Sequence, residues 1–157
     1  MKIYTRKGDD GSTGLLFGGR VAKDSAAIEA NGAVDEAQAA LGSARAEVAT
    51  AAKNRDKLVP ETSLVTTEMV DRLEGLIDDL TGRFPPITEF VIPGHDRVAA
   101  SLDVARTAVR RAERRALHAI PEGSQVGPYL NRLSDLVWTM ARWQEHGESL
   151  PSRRVGA

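Results

Sequence analysis

The chain has 157 residues, 21 basic against 22 acidic side chains, a formal net charge of -1 and no cysteine. This length fits a single domain with a buried core, and the balanced charge argues against a general nucleic-acid binder. The lack of cysteine excludes disulfides and thiol nucleophiles, and the three histidines (His95, His118, His146) lack metal-ligand spacing. No signal core or membrane-length apolar run is present, so we expect a soluble cytoplasmic protein.

The first 23 residues form a glycine-rich arm that mixes glycines, hydroxyl groups and cations, with a short strand predicted near residues 15–17. Glycines let the backbone approach a ligand closely. Amide N–H groups, hydroxyls and cations are what a polyphosphate needs around it. The spacing is neither that of the P-loop nor that of the dinucleotide-binding fingerprint. From the arm alone, both a phosphate site and a plain loop or short hairpin remain open.

Four amphipathic helices are predicted after the arm. The first follows Asp24 or Ser25 as N-cap and runs to about residue 48; the second spans about 63–80, where Gly82 favours a left-handed end. The third covers about 96–118, and the fourth follows Gly127 and ends near residue 144. The prolines of 84–94 exclude a helix, so this apolar linker either packs on the core or lines a pocket. Residues 24–146 are therefore predicted to form an all-α bundle, followed by a tail, 147–157.

The third helix carries a strict four-three apolar repeat, which predicts a tightly packed seam. Its members are Val98, Leu102, Ala105, Val109, Ala112, Ala116 and Ala119. Beside it lie Arg106, Arg110, Arg111, Glu113, Arg114 and Arg115. These charges either form a solvated face with weak helical ion pairs, or include half-buried guanidinium groups that need a carboxylate such as Asp35, or a phosphate. Asn131, one turn inside the fourth helix, is either exposed or a fixed hydrogen-bonding group.

Several blocks, in order over about residues 2–143, resemble the signatures of PduO-type ATP:cob(I)alamin adenosyltransferases. They are Thr5-Arg6-Lys7-Gly8-Asp9-Asp10-Gly11-Ser12-Thr13, Gly19-Arg20-Val21-Ala22-Lys23, Val34-Asp35-Glu36, Phe90-Val91-Ile92-Pro93-Gly94, Ala105-Arg106-Thr107 through Arg110-Arg111-Ala112-Glu113-Arg114, and Tyr129-Leu130-Asn131-Arg132-Leu133-Ser134-Asp135. The resemblance implies one domain over 1–157, an all-α five-helix bundle that assembles as a homotrimer with active sites at the subunit interfaces. Since the periodicity yields four helices, a short extra helix is expected near 51–60 or 120–126.

The reaction implied by the resemblance transfers the 5′-deoxyadenosyl group of ATP to Co(I) of cob(I)alamin or cob(I)yrinic acid a,c-diamide and releases triphosphate. Since the reduced cobalt is itself the nucleophile, the protein must supply orientation and charge stabilisation. Mg²⁺ would be bound chiefly through phosphate oxygens, so no protein metal site is expected. The expected partners are a further copy of the chain, a separate cob(II)alamin reductase and an adenosylcobalamin-dependent mutase, with neither nucleic acid nor membrane.

The resemblance also implies roles for individual residues. Those expected around the ATP phosphates are Thr5, Arg6, Lys7, Gly8, Thr13, Gly14 and Lys23. Those expected to complete the nucleotide site from helices of the neighbouring subunit are Arg110, Arg111, Glu113, Arg114 and Asn131. Arg106 would pair with Asp35 across the interface, and Phe90 would displace the lower axial ligand of cobalt to give a four-coordinate centre. The expected catalytic residues are Arg106, Asp35, Phe90 and Arg110.

Two readings from other classes remain open. A nucleotide-binding regulatory or cofactor-delivery protein would use the same arm without turnover. A structural oligomeric bundle would use the arginines for interface ion pairs, but it would not need the glycine, hydroxyl and lysine groups of the arm.

Overall fold

The computed structural model describes residues 6–15, 18–50, 52–149 and 151. They divide into two compact units, Met1–Gln38 and Ala39–Ala157. The described residues form four α-helices, one 3₁₀ helix and a two-stranded sheet. The chain is thus mainly helical, as predicted.

In the first unit, the arm contains an antiparallel hairpin. Strand β1 (Ser12–Gly14) pairs with β2 (Arg20–Ala22), with Thr13 opposite Val21. Gly18 and Gly19 have φ angles of 101° and 86°, which glycine adopts without strain. The turn therefore lies at these glycines. Strand β1 ends before Leu15, earlier than the strand predicted near residues 15–17. Of that predicted range, residues 16 and 17 lie outside the described residues.

Helix α1 (Ala26–Ala49) begins directly after Ser25, at the predicted start. In the second unit its final turns bury Ser43, Ala44 and Glu47. The 3₁₀ helix Ala52–Lys57 follows, within the range 51–60 where the resemblance implies a short extra helix. It has 3₁₀ rather than α-helical geometry, so the fifth α-helix is not seen among the described residues.

Helix α2 (Thr67–Thr81) begins four residues later than predicted. Ser63 is occupied in the preceding turn, where its Oγ accepts a hydrogen bond from the Val59 amide at 2.8 Å. At the other end Gly82 has φ -69°, a right-handed conformation, so the left-handed end predicted there is wrong. The Gly82 amide continues the helical pattern instead and donates to the Asp78 carbonyl at 3.2 Å.

Helices α3 (Arg97–Ala116) and α4 (Val126–Gln144) complete the second unit. Helix α4 packs against both α2 and α3, and it carries half of the buried apolar side chains among the described residues. These are Val126, Tyr129, Leu130, Leu133, Leu136, Met140 and Ala141; the others include Val65, Met69, Leu73, Leu80 and Ala99. No helix within the described residues has the length and apolar character that crossing a bilayer requires.

The predicted seam of α3 is only partly covered in the single chain. Its members Leu102, Val109 and Ala116 are half-buried, whereas Val98, Ala105, Ala112 and Ala119 are exposed, Val98 by 54%. The most buried residues of α3 are instead Ala99 and Asp103, because α4 packs on that side.

Asp96 caps α3, and we expect it to stabilise the fold in a pH-dependent way. Its Oδ1 accepts hydrogen bonds from the amides of Val98 at 2.7 Å and Ala99 at 2.9 Å. The bonds from Ala99 and Val98 lower the pKa of Asp96, so the ionised carboxylate stabilises the native state above the unfolded pKa of about 3.9. Asp96→Ala should lower Tm at pH 7, and the difference from wild type should shrink as pH falls below about 4.

Thermal unfolding monitored by circular dichroism at pH 7 and pH 3 measures this effect. Asp71→Ala, which removes an exposed carboxylate from α2, is the matched control and should leave Tm nearly unchanged. A Tm difference for Asp96→Ala that is equally large at both pH values would contradict the capping role of the charge.

Candidate functional site

Arg20 holds the segment from Lys7 to Ser12 of the arm in place. Its Nε donates to Ser12 Oγ at 2.8 Å and its Nη2 donates to the Ser12 carbonyl at 3.2 Å and to the Lys7 carbonyl. Asp10 lies 3.4 Å from the same Nη2. The hydrogen bonds from the Ser12 amide and hydroxyl lower the pKa of Asp10. Sequence reasoning did not select Arg20 as a site residue, although it lies within the arm signature.

Gly8 lies in close contact with the ammonium group of Lys23, so a side chain at this position would require Lys23 to move. A Cβ at Gly8 would lie 3.1 Å from Lys23 Nζ and 3.3 Å from the Ser12 carbonyl oxygen. The Lys23 amide donates to the Gly11 carbonyl at 2.9 Å, which fixes the base of that side chain. The arm thus brings two of its predicted phosphate residues together. Thr5 lies outside the described residues.

The remaining predicted residues of the arm lie on either side of this contact. Arg6 and Lys7 are exposed at its start, where Arg6 has φ 60°. Thr13 is half-buried in β1, and Gly14 is exposed at the end of that strand. The first unit therefore presents the cations Arg6, Lys7 and Lys23 in one short part of the arm, and cations are one of the groups that a polyphosphate requires.

In the second unit, α3 and α4 bring two predicted nucleotide residues into contact. Asn131 Nδ2 donates to Glu113 Oε1 at 3.3 Å, and Asn131 Oδ1 accepts from Arg132 Nη1 at 2.6 Å. Both Asn131 and Glu113 are half-buried. Asn131 is therefore a fixed hydrogen-bonding group, which was one of the two readings of its position.

Three arginines in the C-terminal half of α3 are exposed and have no carboxylate partner among the described residues. Arg110, Arg111 and Arg114 are all exposed, and Arg114 Nη1 donates to the Arg110 carbonyl at 3.1 Å. No ion pair joins these three side chains to any residue that the structure describes. Neighbouring guanidinium groups without carboxylate partners favour an anionic ligand.

The linker between α2 and α3 lines a cleft of about 580 Å³, which we call the Phe90 cleft. Phe90 is 88% exposed at this cleft. The cleft is also lined by Ile87, Thr88, Glu89, Val91, Pro93, Asp103, Arg106, Trp138 and Arg142. The linker therefore lines a pocket, and it brings Phe90 to the same cleft as Arg106, two of the residues predicted to be catalytic.

A buried ion network forms the floor of the Phe90 cleft. Arg142, only 1% exposed, donates from Nη2 to Asp103 Oδ2 at 2.7 Å and to Glu145 Oε1 at 2.8 Å. Its Nε donates to Glu145 Oε2 at 2.9 Å. Burial alone would lower the pKa of Arg142, but the hydrogen bonds to Asp103 and Glu145 outweigh it and raise the pKa. Sequence reasoning missed this network; only the three-residue spacing of Arg142 and Glu145 hinted at it.

Arg106 lies at the edge of this network. Its Nε is 3.5 Å from Asp103 Oδ1, and its side chain is 28% exposed. Asp35, its predicted partner across a subunit interface, is exposed on α1 and forms no ion pair with other described residues of its unit. Among the described residues, no three His, Asp or Glu side chains come close enough to hold a metal ion.

Residues 3–144 match the family model described as cobalamin adenosyltransferase. The chain belongs to this family. It is 39% identical over 170 residues to the corrinoid adenosyltransferase of Mycobacterium tuberculosis (strain H37Rv), covering 90% of this chain and 87% of the relative. The Bacillus subtilis enzyme of the same name is 35% identical, with 90% and 86% covered. The chain is 36% identical to the corrinoid adenosyltransferase PduO of Citrobacter freundii and spans 50% of the length of that relative.

Solved structures of the cobalamin adenosyltransferase family share the fold. A phenylalanine-to-alanine variant of a PduO-type ATP:corrinoid adenosyltransferase from Lactobacillus reuteri, complexed with cobalamin and ATP, aligns with a TM-score of 0.50 and 25% identity over 98% of this chain and 100% of that one. An arginine-to-lysine variant from the same organism, complexed with ATP, aligns with a TM-score of 0.52, also at 25% identity, over 96% and 100%.

Breaking the buried ion network should strongly destabilise the fold. Arg142→Ala would leave two buried carboxylates without their cation, so we expect the free energy of unfolding to fall by about 3–5 kcal/mol. The matched control is Arg132→Ala, which breaks a partly exposed pair with Glu74 of the same 2.7 Å length and should cost no more than about 1 kcal/mol. Urea unfolding of both variants measures the difference, and equal losses would contradict the energetic role of burial.

Proposed function

We propose that this chain is an ATP:corrinoid adenosyltransferase. It transfers the 5′-deoxyadenosyl group of ATP to Co(I) of a reduced corrinoid, cob(I)alamin or cob(I)yrinic acid a,c-diamide, and releases triphosphate. The observation that carries the proposal is the cleft that Phe90 and Arg106 line together, in a chain whose family match covers residues 3–144. Relatives complexed with cobalamin and ATP support the two substrates.

The arm and the α3–α4 surface hold the nucleotide in this proposal. The arm residues that bind the triphosphate are Thr5, Arg6, Lys7, Gly8, Thr13, Gly14 and Lys23. Arg110, Arg111, Glu113, Arg114 and Asn131 of the neighbouring subunit complete the site. Mg²⁺ fits these residues, because it is carried chiefly by phosphate oxygens and water and so needs no cluster of protein carboxylates; when bound, it neutralises charge on the leaving group.

The protein acts on the chemical step by orientation and electrostatics. The Co(I) electron pair of the substrate forms a bond to the 5′ carbon, the bond from that carbon to the phosphate oxygen breaks, and triphosphate leaves with the electron pair of that bond. The exposed guanidinium of Arg110 stabilises the charge that develops on the leaving oxygen. Phe90 covers the lower face of the corrinoid and displaces its axial ligand, which makes the cobalt four-coordinate and easier to reduce.

Assembly as a homotrimer is part of the proposal, with the active sites between subunits. Its support is that Val98, Ala105 and Ala112 of α3 are exposed in the single chain, since covering apolar side chains is favourable. Arg106 pairs with Asp35 of the adjacent subunit, and the 3₁₀ helix Ala52–Lys57 counts as the fifth helix of the bundle. We further propose a cytoplasmic location, a separate cob(II)alamin reductase and an adenosylcobalamin-dependent mutase that receives the product.

Arg110→Ala tests the phosphate side of the site. We expect kcat to fall by at least about 100-fold with unchanged Tm, because a preorganised cation next to the leaving group is lost. The assay follows the absorbance change as cob(I)alamin and Mg-ATP form the cobalt–carbon bond. Arg115→Ala removes an equally exposed cation from the same helix and should keep the wild-type rate. A wild-type protein that binds both ligands without any spectral change would instead be a nucleotide-binding regulatory or delivery protein.

Phe90→Ala tests the corrinoid side of the site. The variant should lose most of its turnover while its Kd for ATP stays within about twofold of wild type, a change below about 0.4 kcal/mol. The expected reason is that the axial ligand of cob(II)alamin is no longer displaced, which the absorbance spectrum of the bound corrinoid reports directly. An equal loss of ATP affinity would contradict the proposed role at the cobalt face.

A further inference from the structure

Asp103 connects the buried ion network to the Phe90 cleft. Its Oδ2 accepts the hydrogen bond from Arg142 at 2.7 Å, while its Oδ1 lies 3.5 Å from Arg106 Nε. The two oxygens of one carboxylate therefore face two different arginines, one buried and one half-buried at the cleft. Asp103 is itself only 4% exposed.

The network fixes the Asp103 carboxylate more firmly than a surface ion pair would. Arg142 is held by both oxygens of Glu145 and lies 5.7 Å from the centre of the Trp138 ring. Glu145 in turn accepts a hydrogen bond from Ser149 Oγ at 2.5 Å. With its partner held from several directions, the Asp103 carboxylate has little freedom to rotate.

The charges of this network favour a second cation beside Asp103. Asp103 and Glu145 bring two negative charges to one buried guanidinium, Arg142. An uncompensated buried carboxylate is costly, and Arg106 is the cation that lies next to the exposed edge of the pair. Asp103 Oδ1 and Arg106 Nε are buried but form no hydrogen bond with each other or with other described residues. Attraction between the charges therefore sets the place of Arg106, and its remaining N–H donors stay available to other groups.

We propose that Asp103, held by Arg142 and Glu145, is the positioning residue for Arg106. The fixed carboxylate keeps the Arg106 guanidinium at the Phe90 cleft, so that it is already oriented when the corrinoid and the adjacent subunit arrive. This inference rests on the proposed function, in which Arg106 belongs to the active site. A purely structural network would stabilise α3 against α4 without affecting the kinetics of the folded enzyme.

A double-mutant cycle with Arg106 tests the inference. Asp103→Asn keeps the size of the side chain and an oxygen for Arg142 but removes the charge that attracts Arg106. We expect kcat/KM for cob(I)alamin to fall at least about tenfold, while KM for ATP changes less than about twofold. In an Arg106→Ala background the same substitution should cost no more than about a further twofold, because Asp103 then has nothing to position.

Two further variants separate this role from stability. Glu61→Gln weakens the partly exposed pair with Arg72, which involves no residue of the proposed site, and should leave all kinetic constants unchanged. Arg142→Lys replaces Asp103→Asn if that variant does not fold. It keeps the buried charge, but an ammonium group cannot reproduce the two bonds to Glu145 together with the third bond to Asp103. The same corrinoid-specific loss is expected.

The outcomes distinguish the inference from the function on which it rests. Wild-type kcat/KM in a folded Asp103→Asn enzyme, or a full additional loss in the Arg106→Ala background, would overturn the positioning role while the adenosyltransferase activity stands. A wild-type enzyme that forms no cobalt–carbon bond would overturn the proposed function, and this inference with it.

Discussion

A guanidinium that is 1% exposed, Arg142, joins α3 to the C-terminal end of α4. It stays charged in the interior because Asp103 and Glu145 accept its hydrogen bonds at 2.7–2.9 Å. An ion pair in such a place adds little net stability over an apolar core, but breaking it is costly. The arrangement of α3 against α4, and with it the floor of the Phe90 cleft, therefore depends on all three side chains being present together.

The chemistry requires two kinds of surface, and the chain provides them in different units. The arm offers cations around Gly8 and Lys23, which suits a triphosphate. The helical unit offers the exposed aromatic side chain of Phe90 beside a cleft lined by both apolar and charged groups, which suits a large planar ring that carries polar substituents. Neither surface resembles a site with a protein nucleophile. Such a nucleophile is not needed when the reduced cobalt of the substrate attacks the 5′ carbon of ATP. Reactivity would follow from bringing the two substrates together in a fixed orientation.

The sequence predicted much of the fold, and the errors have physical causes. Hydrophobic periodicity located four helices, because burying one apolar face is the dominant local constraint. It did not identify the side of α3 that packs on α4. Val98 and Ala105 belong to a regular apolar repeat, as core residues would, but α4 covers Ala99 and Asp103 instead. It also missed Arg142, whose carboxylate partner Asp103 lies 39 residues away, a separation that no local pattern encodes. The motifs identified Glu113 and Asn131 as one site, and the structure places them in contact.

In the proposed enzyme, each active site is built from the arm of one subunit and the helices of another. A crystal structure with Mg-ATP and cob(II)alamin would test this directly. We expect a trimer in which Lys23 of one chain and Arg110 of its neighbour contact the same triphosphate, with Phe90 against the lower face of the corrin ring. ATP held by residues of one chain alone, or a corrinoid bound away from Phe90, would contradict it.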